Sequence, residues 1–360
     1  MERTPPCPHY SHCGGCSLQH LSPDAYRKRK TDIAHKTLEK LGYDSHILSE
    51  LFLSGDFVRR RTKLSVRKHK KEITLGYTMK HSHEVVDVRE CIVLEPRLAA
   101  LIAPLRTLIT SLKKSGAISD VHLTLMQDDI DISFIIKDSL TQSDKEKITL
   151  FGKNHDIARI TASHDGKTYS SLHRSIEPTV RFGNIDVSLT PNSFLQATEK
   201  SEKYMTSLVL EHLKDYKKVA DFYAGSGTYS FPLVEAGHRV SAYEGFADAV
   251  TSMHNAIRQN GLGSKVEAHQ QDLFKQPLSA EECSNYDGIV INPPRNGALS
   301  QAQQIAASTA QKIVMVSCNP HTFTRDARAL HDGGYTLTRL TPIDQFTYSH
   351  HLELVGFFER

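Results

Sequence analysis

Residues 217–227 read KKVADFYAGSG: a short apolar run closed by Asp221 and followed by Gly225 and Gly227. The same shape recurs four times, as HRVSAYEG (238–245), KVEAHQQDL (265–273), YDGIVINPP (286–294) and KIVMVSCNP (312–320). Each reads as a strand that ends in polar or turn residues. Helical stretches at 228–236, 246–260 and 299–310 fill the gaps between them. Strand and helix alternating at this spacing predict an α/β fold, a parallel doubly wound sheet with helices on both faces. Two further runs, YTLTRLTPIDQF (335–346) and HLELVGFFE (351–359), are joined by a short polar link and predict an antiparallel pair at the sheet edge.

The first half lacks this rhythm. Runs at 85–93, 121–126, 130–136 and 179–189 read as strands of a mainly antiparallel α+β domain, with a helix over 97–114. LTPNSF (189–194) is a turn followed by a helical pattern, which places a domain boundary near 190. A length of 360 residues agrees with two domains, 1–190 and 191–360. An apolar content of 39% and a charged content of 24% describe an ordinary globular protein. The opening MERTPPCPHYSHC has no apolar core of a signal peptide, and no run approaches the roughly 18 apolar residues of a membrane span. The expectation is a cytoplasmic monomer.

In a doubly wound sheet, ligands bind beyond the carboxyl ends of the strands. Gly225 and Gly227 allow close backbone approach at the first such end. Glu244 ends the next strand, where a carboxylate can take both hydroxyls of a ribose, and Asp272 ends the third, near an adenine edge. A plain tight turn would also explain G-x-G. Dinucleotide binding is weakened because Ser230 stands where the full fingerprint needs a third glycine. A cofactor with adenosine and no pyrophosphate, such as S-adenosylmethionine, fits better.

Cys318 sits at the carboxyl end of its strand, where reactive groups collect, and NPPRNG (292–297) rims the strand beside it. Carbon 5 of uracil is too weak a nucleophile to take a methyl group from a sulfonium unaided. Thiolate addition at carbon 6 makes the ring an enolate that can do so. A base must then remove the proton on carbon 5, and Glu353 in HHLELV is the candidate. Spacing alone does not bring it to Cys318; the fold must. Arg325 is a candidate for favouring the thiolate.

Together, CPHYSHCGGCSLQH, DFYAGSGTYSF, NPPRNG, SCNPHTFTRD and HLELV resemble the RNA uracil-C5 methyltransferases, in the family order and from Cys7 to Arg360. The resemblance implies a C-terminal Rossmann-like class I methyltransferase domain, with Cys318 as nucleophile and Glu353 as proton-abstracting base. It further implies cofactor or uracil contacts at Gln196, Tyr223, Gly225, Glu244 and Asn292. Asn292 departs from the aspartate of many members and matches some ribosomal ones. With Cys7 so near the start of the sequence, the expectation within the resemblance is a chain without the small N-terminal RNA-binding barrel of one ribosomal branch.

Three of the six cysteines crowd together as C-x5-C-x2-C (Cys7, Cys13, Cys16), which favours a metal or cluster site over disulfides. In members of the family that carry it, this pattern with a distant cysteine binds a [4Fe-4S] cluster; here the fourth ligand would be Cys91. Four thiolates suit iron-sulfur or zinc. The net charge is only +3, but residues 57–71, FVRRRTKLSVRKHKK, hold eight Lys or Arg and no acid. Such a run is a solvated face or a phosphate-binding surface. The second reading gives Arg59, Arg60, Arg61, Lys63, Arg67 and Lys68 as RNA contacts, with the target base flipped out of its stack. The substrate reading is 23S ribosomal RNA, with transfer RNA as the alternative. A silent RNA-binding factor and an exocyclic-amine methyltransferase remain as rivals.

Overall fold

The computed structural model describes residues 2–70 and 72–360, so Lys71 of the basic run lies outside it. After the helix Pro23–Leu41 comes a two-residue strand, β1 (Phe52–Leu53). A seven-stranded sheet follows: β2 (Arg61–His69), β3 (Glu72–Thr78), β4 (Val85–Asp87), β5 (Ile118–Met126), β6 (Asp129–Ile136), β7 (Arg159–Ser163) and β8 (Ser170–Arg174). Its order is β4-β3-β2-β5-β6-β7-β8, antiparallel except between β6 and β7. A hairpin, β9 (Thr179–Phe182) and β10 (Ile185–Ser188), leads to the second sheet.

That sheet comprises β11 (Lys218–Phe222), β12 (Arg239–Glu244), β13 (Val266–Gln270), β14 (Gly288–Ile291), β15 (Lys312–Ser317), β16 (Thr336–Asp344) and β17 (Glu353–Glu359), with β1 added. The order is β1-β16-β17-β15-β14-β11-β12-β13. Strands β11 to β15 pair in parallel and β17 runs against both neighbours. Every residue of β14 is buried, as expected of a strand covered on both faces. Strand order reverses between β14 and β11, which fixes where a ligand crevice opens.

Several details differ from the sequence reading. The β16–β17 pair forms, yet it does not end the sheet, because β1 adds in parallel outside β16 (Phe52↔Ile343, Leu53↔Asp344). The run 179–189 is a hairpin, turned at Gly183 (φ 63°). The helix expected over 97–114 is two, Pro96–Ala100 and Ile102–Ser111. The basic run folds into β2, because Thr62, Leu64 and Val66 alternate inward between its charged residues.

The helix Pro23–Leu41 is pinned to the second sheet through a buried charge. Lys30 Nζ lies 2.7 Å from Asp344 Oδ1, both side chains at most 1% exposed, and also donates to the His351 carbonyl. The Tyr26 hydroxyl donates to the other Asp344 oxygen and accepts the Tyr348 N–H. Removing one member of such a group strands a buried charge at a cost of about 3–5 kcal/mol. No helix among the described residues is long and apolar enough to cross a membrane.

Candidate active site

One edge of the second sheet collects both catalytic candidates and most of the cofactor candidates singled out above. Tyr223 and Gly225 follow β11, Glu244 ends β12, Asp272 follows β13, Asn292 follows β14 and Cys318 follows β15. Because β17 is antiparallel to β15, its first residue, Glu353, comes to the same edge. The register pairs Ser317 with Leu354, so the next step puts Cys318 across from Glu353. The fold thus supplies the proximity that spacing in the sequence does not.

Glu353 is buried, and burial pushes its carboxyl up to about 7; a hydrogen bond from Gln345 pulls it back. Gln345 Nε2 donates to Glu353 Oε2 at 2.6 Å and to Gln196 Oε1 at 2.9 Å. Gln345 Oε1 accepts the Ala197 N–H, and the Gln196 carbonyl accepts Arg60 Nε. Gln196 is therefore joined to Glu353 through Gln345. The sequence reading missed Gln345, although IDQF ends an apolar strand in two polar residues, the same signal that marked Cys318.

Cys318 is half-buried, and burial pushes its thiol up to about 11, with the Glu353 charge adding to the rise and Arg295 opposing it. Arg295, rather than Arg325, is the cation that acts on the thiol. Arg325 is committed elsewhere: it pairs with Asp326 and donates to the Asn296 carbonyl. Asn319 Nδ2 and the Thr322 hydroxyl donate to the Arg295 carbonyl, fastening the NPPR rim to the cysteine loop.

On the β11–β13 side, Gly225 N–H donates to Glu244 Oε2 and Phe246 N–H to Oε1, so the carboxylate is held by two loops. A Cβ added at Gly225 (φ 58°) would meet nothing within 4 Å, leaving its backbone open to a ligand. Asp272 stays accessible beside it, its Cα 3.5 Å from where a Cβ on Gly245 would lie. Asn292 N–H donates to the Phe222 carbonyl at the crossing point. Two buried polar atoms here lack partners, Asp221 Oδ1 and the Tyr223 hydroxyl. Burial raises Asp221 to about 7. Unpaired buried atoms at this sheet edge fit a polar ligand that completes them.

Cys7, Cys13, Cys16 and Cys91 line one cavity together with Gln19 and Arg59. All four thiols are free. Burial raises Cys7, Cys13 and Cys16, the last to about 12, and the cysteines' own charges add to the rise. Gln19 Nε2 is buried with no partner in the same cavity. Among the described residues, no three His, Cys, Asp or Glu side chains are grouped tightly enough to hold a metal ion. The loop's shape depends on Gly14, whose absent Cβ would fall 2.5 Å from the Thr78 carbonyl oxygen. Gly14 N–H donates to that carbonyl, while Ser17 and Leu18 N–H donate to the Tyr348 carbonyl. The cysteine loop therefore bridges the first sheet and the loop that precedes Glu353.

The basic residues separate into two kinds. Arg61, Lys63 and Arg67 share one face of β2, Lys68 is exposed on the other, and Arg59 is half-buried at the cysteine cavity. Arg61 donates to the Leu195 carbonyl and lies over the exposed Phe194 ring, 5.0 Å from its centroid. Arg60 is a correction to the expected RNA contacts. It is 5% exposed and ion-paired with the buried Glu202, so its guanidinium is spent inside the protein.

Residues 49–360 match the family described as tRNA (uracil-5-)-methyltransferase. An uncharacterized RNA methyltransferase of Caulobacter vibrioides is 38% identical, over 99% of this chain and 86% of the relative. The 23S rRNA (uracil(1939)-C(5))-methyltransferase RlmD of Shewanella sediminis is 30% identical, over 99% of this chain and 81% of its own. Among solved structures, the Pyrococcus abyssi tRNA (uracil-54, C5)-methyltransferase in complex with S-adenosyl-L-homocysteine shares the fold. Its TM-score is 0.75 and its identity 24%, covering 96% of this chain and 86% of that one.

Proposed function

The chain belongs to the RNA uracil-5 methyltransferase family, and from that premise we propose that it methylates carbon 5 of a uridine in 23S ribosomal RNA through a cysteine adduct. What carries the reading is the pairing of Cys318 with Glu353 at the edge where the cofactor-type acids also converge. The 30% identity to a 23S enzyme over nearly the whole chain supports the ribosomal address.

Bound S-adenosylmethionine would supply an electrophilic methyl group and a positive sulfonium. Glu244 and Asp272 would hold its adenosine, with Gly225, Tyr223 and Asn292 lining the cleft beside Asp221. The target uridine, flipped from its stack, would enter between Cys318 and the cofactor cleft. Cys318 Sγ bonds to carbon 6, and the electron pair of the 5,6 double bond moves to carbon 5, the atom that is methylated. Glu353 then takes the proton from carbon 5; the double bond re-forms as the carbon–sulfur bond breaks and the thiolate departs. A free thiol raised to about 11 needs help to ionise. The Arg295 charge, which opposes the rise, would give it.

Cys7, Cys13, Cys16 and Cys91 would hold a [4Fe-4S] cluster, with the unpaired Gln19 Nε2 able to donate to its sulfur. Thiols that burial and mutual repulsion keep protonated suit a cationic centre that ionises them. The cluster would shape the bridge between the two sheets. Replacing Cys91 by serine should remove iron and acid-labile sulfide together from the purified protein; zinc near one equivalent in the wild type would reassign the site.

Arg59, Arg61, Lys63, Arg67 and Lys68 would contact RNA phosphates, in the half before residue 190, and chemistry would belong to the half after it. Action on ribosomal RNA would put the enzyme in the cytoplasm. Deleting the gene and mapping 5-methyluridine by mass spectrometry tests the substrate. One position in 23S ribosomal RNA should lose its methyl group; loss from transfer RNA instead would move the activity there.

A further inference from the structure

We propose that Gln345 is the positioning residue of the proton-abstraction step: it aims the Glu353 carboxylate and holds it ready to accept the carbon 5 proton. The inference rests on the role given above to Glu353. Its basis is the saturated geometry of one amide. The Ala197 N–H can be met only by the carbonyl oxygen of Gln345, at 3.0 Å. That contact forces the amide nitrogen to the opposite side. Both of its protons are then directed, one to Glu353 Oε2 at 2.6 Å and one to Gln196 Oε1 at 2.9 Å. Gln345 is itself 3% exposed, and Asp344 beside it is locked by Lys30 and Tyr26.

A buried carboxylate with a single short donor has one oxygen fixed and the other free to act. Donation to the charged form favours the carboxylate over the acid. Without it, the remaining surroundings oppose ionisation. Tyr229, ahead of the helix Ser230–Glu235, and Cys318, at the end of β15, both face Glu353 and bring no positive charge. The nearby cations are engaged, Arg60 with Glu202 and Lys30 with Asp344, while Arg295 acts on Cys318. Gln345 is the residue that offsets burial at Glu353.

The test separates adduct formation from adduct breakdown in the full-length enzyme. RNA carrying 5-fluorouridine, which has no removable proton at carbon 5, reports the first. Decay of the methylated covalent complex on ordinary RNA, followed from about pH 6 to pH 9, reports the second. Gln345→Met should trap fluorinated RNA no more slowly than the wild type. It should release ordinary RNA about fivefold more slowly at pH 7, with the inflection about one pH unit higher. Gln345→Glu keeps an acceptor for the Ala197 N–H and adds a like charge, so it should shift the inflection further. Unchanged pH profiles in both variants, or equal losses in trapping and release, would overturn the inference. Glu353→Gln serves as the control: normal breakdown there rejects the base itself, whereas stalled breakdown there with unshifted Gln345 variants rejects only the positioning role.

Discussion

Alanine at position 318 will abolish methylation of the target RNA, by on the order of 10⁴-fold or more, because the adduct that activates carbon 5 cannot form without the sulfur. The side chain lies half-buried at a strand end, so its loss removes little packing, and the variant should fold with stability within about 1 kcal/mol of the wild type. Cofactor affinity should stay near normal, since the proposed adenosine contacts, Glu244, Asp272 and Gly225, lie at the ends of other strands. The decisive measurement pairs tritium transfer from labelled cofactor with a denaturing gel of protein incubated with 5-fluorouridine RNA. A shifted band in the wild type and none in Cys318→Ala is the expected outcome. Undiminished transfer by the variant would reject covalent catalysis and favour an amine methyltransferase, in which the Asn292 rim positions the substrate and no thiol is needed.

Glu353→Gln should fail at a later stage. The amide preserves shape, so addition and methylation proceed, but carbon 5 keeps its proton and the complex persists. Release should slow by about 10²- to 10⁴-fold, the range for loss of a positioned general base. Covalent complex should then accumulate on ordinary uridine RNA. In the wild type, breakdown should climb with pH through about 7, because the proposed base must be a carboxylate and burial leaves Glu353 protonated below that value. The variant should lose this inflection. A Glu353→Gln enzyme that turns over with the wild-type profile would free the residue from the role.

Much of the second sheet was legible because β11, β14 and β15 are buried along nearly their whole length and write apolar runs directly into the sequence, while β12 and β13 alternate. Their ends are marked by abrupt changes to glycine, acid, Asn-Pro-Pro or Cys-Asn-Pro, so the edge proposed to carry the chemistry is marked residue by residue in the sequence. The approach of Glu353 to Cys318 was not legible, since it follows from the antiparallel insertion of β17 beside β15. Gln345 stayed hidden for the same reason: its partners come from residues 196, 197 and 353. Arg60 misled the reading because a charged residue next to a strand looks exposed until its partner is known. That partner, Glu202, lies on the helix Glu199–Leu213, far along the chain. The seven-stranded sheet was only partly read, since β2 hides a buried stripe of Thr62, Leu64 and Val66 between cations.

Strand β1 has a bearing on how the molecule is made. It pairs with Ile343 and Asp344 of β16, and the helix before it is locked by Lys30 to Asp344. Nearly the whole polypeptide separates these partners. At translation speeds of about 5–20 residues per second, the leading arm waits tens of seconds outside the ribosome before its dock is synthesised. The Tyr348 carbonyl that secures Ser17 and Leu18 arrives in that same late portion. The cysteine loop thus leaves the ribosome well before the segment that seats it, and its thiols stay uncovered through that interval.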